Sequence, residues 1–385
     1  MPTYLTHARI VTADDVLEDA ALLIENGMIS AINPEVGPAH AREIKLDGRL
    51  LLPGLIDLHC DALEKEIEPR PSVHFPLDFA IGNADRRNAM AGITTVFHAL
   101  SFANDELGVR NNEFAASIAR AVHEVHGELL VDNRVHCRYE VTDSTAPALL
   151  LKLLEQDAMH LLSFMDHTPG QGQFKSDTAY REYLSKTYKK SEAEIDALLA
   201  EKKAAGAGVE KRMQLLAEAA HARGVQVASH DDDTPEKVEM VTALGATISE
   251  FPINLETARA ARTKGMATLF GAPNILRGKS QSGSMRALDA VIEGVADCLC
   301  ADYAPAAMLP ALLKLPGLAG ISLPQAIALA SRNPARAAGL HDRGSIAQGL
   351  RADLIAINTH TATPRVEGVW CQGQPRIAIN GLALA

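Results

Sequence analysis

The chain has 385 residues, a formal net charge of −11, 47% hydrophobic residues and 4% aromatic residues. The acidic balance argues against a general nucleic-acid or membrane-surface binder, and it allows an anion to bind only through a local basic pocket or a metal. Five scattered cysteines, no basic-then-apolar N-terminal signal and no run long enough to cross a bilayer predict a cytoplasmic protein without a disulfide framework.

Residues 1–52 consist of short apolar stretches separated by turns, and a similar texture returns after residue 343. The dipeptide Asn26-Gly27 between two apolar stretches is a strong hairpin signal. The strand candidates are Ala8–Thr12, Ala20–Glu25, Met28–Ile32, Ala352–Ile357 and Gly368–Cys371. We therefore predict one small β-sandwich domain formed from both termini, residues 1–52 plus 343–385, with residues 53–342 inserted into it.

The inserted region alternates apolar strands with helical patterns, most clearly from residue 225 onward. Its strand candidates are Leu55–Leu58, Ile93–Phe97, Arg134–Tyr139, His160–Met165, Val225–Ser229, Ala246–Ser249, Met266–Phe270 and Asp297–Ala301. Helices are predicted at Pro235–Leu244 and Leu255–Lys264, and Thr178–Arg223 reads as helix with a solvated insertion. Eight strands separated by helices predict an α/β fold of the (β/α)8 TIM barrel type.

The most informative stretch is Pro53–Asp61, in which an apolar run ends in His59 and Asp61 follows two places later. Side chains two apart on a strand point to the same side, so both can enter one space where the strand ends. An imidazole and a carboxylate converging there suit a divalent metal. Taken alone, a buried strand with a chance histidine would explain the same residues.

A polar residue closes nearly every predicted barrel strand, and the active sites of TIM barrels lie at that end. In chain order these residues are His59, Asp61, His98, Glu140, Asp166, His167, His230, Glu250, Asn274 and Asp302. Chance would place one or two such groups there but rarely one at almost every strand end. The whole set therefore predicts an active site more strongly than any one motif.

These residues and their flanking segments resemble the amidohydrolase superfamily of metal-dependent hydrolases. Pro53–His59 resembles its first-strand signature, and Gly344–Ile346 with Gly349–Leu354 resembles its return into the small β-domain. Denser segments resemble one member family, the PhnM-like diphosphatases of the carbon–phosphorus lyase pathway. Those segments are Leu63–Lys65, Glu68–Pro71, Met165–Gln171, Ser229–Pro235, Gly271–Asn274 and Arg277-Gly278.

The resemblance implies hydrolysis of alpha-D-ribose 1-methylphosphonate 5-triphosphate to the 5-phosphate and pyrophosphate. The chain departs from the family pattern at His98, where an aspartate is expected, and at Gln281 and Ser284, where histidine and asparagine are expected. Asp61 replaces the second histidine of the general superfamily motif. These departures leave the exact substrate open, and they have less bearing on the overall reaction, a metal-dependent hydrolysis.

Hydrolysis of a triphosphate needs an activated water and a sink for negative charge, and one or two divalent metals supply both. The predicted metal ligands are His59, Asp61, His167, His230 and Asp302, with Glu140 as a bridging carboxylate because no lysine closes the fourth strand. Asp302 and His230 are the predicted catalytic residues, with Asp302 as general base. The mixed nitrogen and oxygen donors favour Zn²⁺, with Mn²⁺ or Fe²⁺ as alternatives.

Several of these residues have a second interpretation. His230 would also suit a buried core position, Glu250 would also serve only to stabilise a strand end, and His98 is either a ligand or a donor to one. Asp231–Asp233 are more plausible as helix caps and partners of the ligands than as ligands.

Cationic and small residues after the predicted strands are candidates for binding the polyphosphate. The predicted substrate-binding residues are Arg70, Lys175, Asn274, Arg277, Lys279 and Ser282, supported by Gly278, Ser280, Gly283 and Ser284. The alternative for the segment after Arg277 is a flexible surface turn.

Two other functions compete with the diphosphatase. The same metal centre could act on a carbonyl, as in an amide or cyclic-amide hydrolase or a sugar-phosphate deacetylase. A catalytically inactive barrel could instead serve as a binding or scaffold protein, although the full set of donors argues against it. Assembly as a homo-oligomer is an expectation from the superfamily.

Overall fold

The structure is a computed structural model that describes residues 1–103, 111–166, 181, 185, 191–196, 208–280, 284–379 and 381–382. Two separate eight-stranded sheets organise these residues. One sheet is built from both ends of the chain, and the other from the region between them. This is the architecture that the sequence predicts.

The terminal sheet is mainly antiparallel and runs in the order β16-β15-β14-β5-β1-β2-β3, with β4 pairing with β1. Its strands are β1 (Thr3–Val11), β2 (Val16–Glu25), β3 (Met28–Ile32), β4 (Arg42–Lys45), β5 (Leu50–Pro53), β14 (Leu354–Asn358), β15 (Arg365–Cys371) and β16 (Gln374–Ala378). Asn26 and Gly27 both adopt positive φ angles, of 51° and 80°, as the predicted hairpin turn requires. Leu5, Ile10 and Trp370 are fully buried in this sheet's own core.

The second sheet is an all-parallel barrel in which each strand pairs with the next along the chain, from β6 to β13. Its strands are β6 (Leu55–Cys60), β7 (Ile93–Phe102), β8 (Asp132–Glu140), β9 (Leu161–Met165), β10 (Gln226–His230), β11 (Ile248–Glu250), β12 (Ala267–Gly271) and β13 (Cys298–Cys300). A parallel bridge between Cys60 and Asp302 joins the last strand to the first. The prediction of a TIM barrel is confirmed.

Helices connect the strands, and several begin where the sequence supplies a cap. Within the described residues they are α1 (Ala62–Ile67), α2 (Leu77–Met90), α3 (Asn112–Val125), α4 (Ala146–Glu155), α5 (Val209–Ala222), α6 (Pro235–Ala243), α7 (Leu255–Thr263), α8 (Ala272–Arg277), α9 (Ala287–Ile292), α10 (Met308–Ala319), α11 (Leu323–Ala328) and α12 (Arg332–Ala337). The side chains of Thr234 and Asn254 accept hydrogen bonds from the backbone of the first turns of α6 and α7. Much of the helical region predicted between residues 178 and 223 lies outside the described residues.

The barrel interior contains a cluster of buried aliphatic and aromatic side chains, including Ile56, Leu58, Phe97 and Leu269. This apolar packing fills part of the barrel interior, and the polar groups of the candidate site lie toward the carboxyl ends of the strands. None of the helices within the described ranges is long and apolar enough to span a bilayer.

Buried charges connect the segment between α12 and β14 with the amino-terminal end of the barrel. Arg343 donates to Thr95 of β7 at 3.0 Å and to Asp132 of β8 at 2.5 Å. Strand β5 of the terminal sheet runs directly into β6 of the barrel. The domain boundaries at 52/53 and 342/343 stay a prediction.

Candidate active site

Three barrel strands bring potential metal ligands together at their carboxyl ends. His59 lies near the end of β6, and His230 and Glu250 are the last residues of β10 and β11. One ligand atom from each of these three side chains lies within 4.8 Å of the other two. All three residues are buried, so these polar groups are held in place by the barrel rather than by solvent. Two imidazoles and a carboxylate at this spacing suit a divalent metal ion.

Glu250 stands at the centre of this group. One carboxylate oxygen lies 3.0 Å from Nδ1 of His59. The other accepts a hydrogen bond from Oγ of Ser163 at 2.7 Å and lies 3.6 Å from Nε2 of His136. The sequence left Glu250 open between a site residue and a strand-end residue. Its position among two histidines and a serine makes it part of the site.

The carboxylate of Glu250 and the imidazoles of His59 and His136 alter each other's pKa. Burial opposes ionisation of Glu250, but the imidazoles around it, above all the protonated His59, hold the pKa of its carboxyl well below the usual range. Burial alone would lower the pKa of His59, yet Glu250 and Asp61 raise it to about 10. Burial lowers the pKa of His136 to about 3, so this imidazole is neutral. With no cation bound, the carboxylate of Glu250 and the imidazolium of His59 form a buried ion pair, and a divalent ion would take the place of the proton on His59.

Asp61 and Asp302 lie beside the histidine of β6. The backbone N–H of Asp302 donates to the carbonyl of His59 at 2.9 Å, and the N–H of Asp61 donates to the carbonyl of Asp302 at 2.8 Å. Oδ1 of Asp61 lies 3.5 Å from Nε2 of His59. Burial, reinforced by the Asp61 carboxylate, raises the pKa of Asp302 to about 6, and the charges of His59 and Arg138 oppose that rise. At neutral pH Asp302 is thus an ionised but comparatively basic carboxylate.

Asp231 and Phe251, which directly follow β10 and β11, and Asp302, which follows β13 by two residues, have a left-handed backbone, with φ of 52°, 52° and 54°. Aspartate tolerates this conformation, whereas phenylalanine rarely adopts it. The ring of Phe251 packs against His59 and His230, with centroids 5.0 and 5.2 Å apart. The strained turn after β11 therefore places an apolar wall against both histidines.

The aspartates after β10 support the strand ends rather than cap the following helix. Asp232 is fully buried and accepts hydrogen bonds from the hydroxyls of Ser229 and Ser249, each at 2.5 Å. Asp231 lies 3.4 Å from Nδ1 of His230. The cap of α6 is Thr234, so the prediction that these aspartates act as caps is wrong. The threonine is better placed because its side chain reaches the N–H of Lys237.

Two other predicted metal-site residues stand apart from the three-donor group. Glu140 ends β8 and accepts a hydrogen bond from Thr142 at 2.8 Å. His98 lies on the outer side of β7, where its Nε2 is 2.8 Å from Oδ1 of Asn133, and Nδ2 of Asn133 donates to Asp85 of α2. His98 therefore packs between the barrel and a helix and is not directed at the site.

The predicted substrate-binding residues fall in different surroundings. Arg277 ends α8 and its Nη1 lies 3.3 Å from the hydroxyl of Tyr303, the residue after Asp302. The side-chain oxygen of Asn274 accepts from the backbone N–H of Ala287 at 3.0 Å and so anchors the start of α9. Arg70 and Lys279 are exposed. His167, Lys175 and Ser282 lie outside the described residues.

Sequence reasoning missed His136 and Arg138, which enter the barrel from within β8. His136 is fully buried, with Nδ1 3.1 Å from the carbonyl oxygen of Leu58. Nη2 of Arg138 lies 2.9 Å from Oδ1 of Asp61. The signal that would have found them is the alternation His136, Arg138, Glu140, since residues two apart share one face of a strand.

Comparison with known proteins agrees with this geometry. Residues 50–380 match the amidohydrolase family. The chain belongs to the amidohydrolase family. It is also 35% identical over 375 residues to alpha-D-ribose 1-methylphosphonate 5-triphosphate diphosphatase of Escherichia coli (strain K12), covering 96% of this chain and 99% of that relative. This match confirms the resemblance to the diphosphatases found in the motifs.

Solved structures of other proteins share the fold. N-acetylglucosamine-6-phosphate deacetylase from Pasteurella multocida superposes with a TM-score of 0.64 at 16% identity, over 97% of this chain and 99% of that one. Dihydropyrimidinase from Brevibacillus agri NCHU1002 gives a TM-score of 0.62 at 15% identity, over 98% and 95%. At these identities the likeness shows the barrel and its companion sheet, and it carries no information on substrate.

Proposed function

We propose that this protein is a metal-dependent diphosphatase that hydrolyses alpha-D-ribose 1-methylphosphonate 5-triphosphate to the 5-phosphate and pyrophosphate. Water is the second substrate, and the bond that breaks is the anhydride between the first and second phosphoryl groups of the triphosphate, counted from the ribose. The observation that carries the proposal is the cluster of His59, His230 and Glu250 in a chain that matches a diphosphatase over 96% of its length.

The buried donors fit a divalent cation. His59, His230 and Glu250 would hold it, and Asp61 and Asp302 remain proposed as further ligands beside His59. We favour Zn²⁺ for this mixture of nitrogen and oxygen donors, with Mn²⁺ or Fe²⁺ as alternatives and one or two ions per chain. A bound divalent ion would lower the pKa of water and withdraw charge from a phosphoryl oxygen. Glu140 and His167 remain proposed ligands of a second ion.

Asp302 is the proposed general base. Its carboxylate is ionised at neutral pH, and its raised pKa of about 6 makes it a better proton acceptor than a solvent-exposed aspartate. Its backbone is fixed on both sides by hydrogen bonds to the backbone of His59 and Asp61. Asp302 would therefore take the proton of the attacking water without having to move. His230, the second proposed catalytic residue, would act beside it as a metal ligand.

Cationic side chains at the barrel rim would bind the outer phosphoryl groups. Arg277 lies next to Tyr303 and hence near Asp302, and the exposed Lys279 follows it by two residues. Arg70, Lys175, Asn274 and Ser282 remain proposed contacts. We further propose that the protein acts in the cytoplasm in phosphonate catabolism and that it assembles as a homo-oligomer, as the superfamily expectation holds.

The test is a comparison of substrates on one metal-loaded preparation. We expect kcat/KM for the ribose triphosphate to exceed that for N-acetylglucosamine 6-phosphate and for a dihydropyrimidine by at least about 1,000-fold, or about 4 kcal/mol of transition-state binding. Faster turnover of either amide would replace the proposal with a hydrolase acting on carbon–nitrogen bonds. Turnover of none of the three by a metal-saturated protein would contradict both.

A further inference from the structure

Strand β8 directs an arginine into the active site, and no metal-binding or base role accounts for it. His136 lies deepest, Arg138 one step nearer the mouth, and Glu140 at the strand end. The side chain of Arg138 is only 7% exposed. Its charge faces Asp61 at 2.9 Å and also acts on Asp302. The guanidinium thus contacts Asp61 and acts electrostatically on Asp302.

One edge of this guanidinium has unused donors. Nε and Nη2 of Arg138 are buried, and neither donates a hydrogen bond within the part of the chain that the structure describes. The contact between Nη2 and Asp61 is close but lies outside hydrogen-bond geometry. A buried charged donor without an acceptor costs about 1–3 kcal/mol or more. A bound ligand that supplies the missing acceptors would remove this cost.

Nε and Nη2 form a fork whose two N–H bonds run parallel, which matches two oxygens of one phosphoryl or carboxylate group. We propose that Arg138 binds two non-bridging oxygens of the phosphoryl group that is hydrolysed. This inference rests on the proposed function, because that function puts a phosphoryl group beside His59 and Asp302. An arginine with a permanent charge would stabilise the developing negative charge of the transition state beside carboxylates that repel it.

The alternative role for Arg138 is to position Asp61 for the metal. Arg138→Lys separates the two roles, because lysine keeps a positive charge near Asp61 but lacks the fork. Arg134→Lys is the matched control on the same strand, since Arg134 pairs with Asp132 at the amino-terminal end of β8, 3.1 Å away. If Arg138→Lys does not fold, as judged by circular dichroism, Arg138→Gln takes its place.

The measurement is calorimetric titration of the metal-loaded proteins with inorganic phosphate and, separately, with acetate, alongside the metal content per chain. We expect Arg138→Lys to weaken phosphate binding at least about tenfold, with metal content and acetate binding unchanged and with Arg134→Lys equal to wild type. Where the triphosphate is turned over, its kcat should fall by about 100- to 1,000-fold.

Three results would overturn the inference. The first is a wild-type affinity for phosphate in Arg138→Lys, and the second is loss of metal from that variant. The third is a loss of acetate binding, rather than phosphate binding, in that variant. The outcome is separable from that of the proposed function. Phosphate binding that depends on Arg138 in a protein inactive on the ribose triphosphate would refute the proposed substrate alone, and full activity with an unaffected variant would refute only the role of Arg138.

Discussion

Replacing Asp302 by asparagine should remove the proposed general base while leaving the site standing. Asparagine has nearly the same shape and also tolerates the left-handed backbone that Asp302 adopts, with φ of 54°. The hydrogen bonds that join residue 302 to His59 and Asp61 come from the backbone and survive the change. Because an amide cannot accept the proton of water, the variant isolates the proton-transfer step.

The expected loss follows from the state of the carboxylate. With a pKa raised to about 6, Asp302 is ionised at pH 7.5 and is a base of useful strength. A positioned base of this kind contributes about 10²- to 10⁴-fold, or about 3 to 5 kcal/mol of the barrier. We therefore expect kcat of Asp302→Asn to fall by that factor, with KM changed by less than about threefold.

The assay is steady-state release of pyrophosphate at saturating metal, with metal content measured on the same samples. Asp157→Asn is the matched control, because Asp157 has the same left-handed φ of 54° but is an exposed residue paired with Arg223. A kcat within about threefold of wild type in Asp302→Asn, at full metal content, would refute the assignment of the base.

Three further predictions concern the metal, the substrate and the fold. Glu250→Gln should weaken metal affinity by more than about 100-fold in a chelator competition, since even the residues that support metal ligands contribute about 10- to 100-fold. The control His98→Gln should leave the affinity unchanged, because His98 faces Asn133. Equal metal affinities in the two variants would contradict the site. Arg277→Ala should raise KM for the triphosphate about tenfold, and wild-type kinetics would remove Arg277 from the substrate contacts. Burial alone would raise the pKa of Asp132, but Arg134 and Arg343 lower it from 3.8 to about 2, so Asp132→Asn should cost about 2 kcal/mol of unfolding free energy at pH 7 in urea denaturation. That contribution is fully present above pH 3.8 and is lost as the pH falls through about 2, so an Asp132→Asn deficit that persists at pH 2 would show another cause.

The fold was predictable because its signals are local. Asn26-Gly27 requires a turn with two positive φ angles, and the strands from β10 onward are short apolar runs separated by capped helices. The polar strand-end residues His59, His230 and Asp302 were predictable for a related reason. A parallel barrel brings all its carboxyl ends to one face, so the end of a strand has a known position even when its pairing does not.

Residues inside strands were harder to place. Every residue of β7 is buried, so its sequence does not alternate and gives no sign that His98 faces a helix rather than the barrel. His136 and Arg138 were missed because they lie within β8, and the prediction of site residues considered only the residues at strand ends. Glu250 stayed ambiguous for another reason. A single carboxylate at a strand end looks the same in sequence whether it meets water or two histidines.

Phosphorus NMR of the metal-loaded protein with alpha-D-ribose 1-methylphosphonate 5-triphosphate is the most direct test of the diphosphatase activity. We expect equal amounts of pyrophosphate and the 5-phosphate, with the phosphonate signal intact and no release of single phosphate ions. The same metal-saturated protein leaving the triphosphate unchanged, or releasing orthophosphate step by step, would contradict that activity.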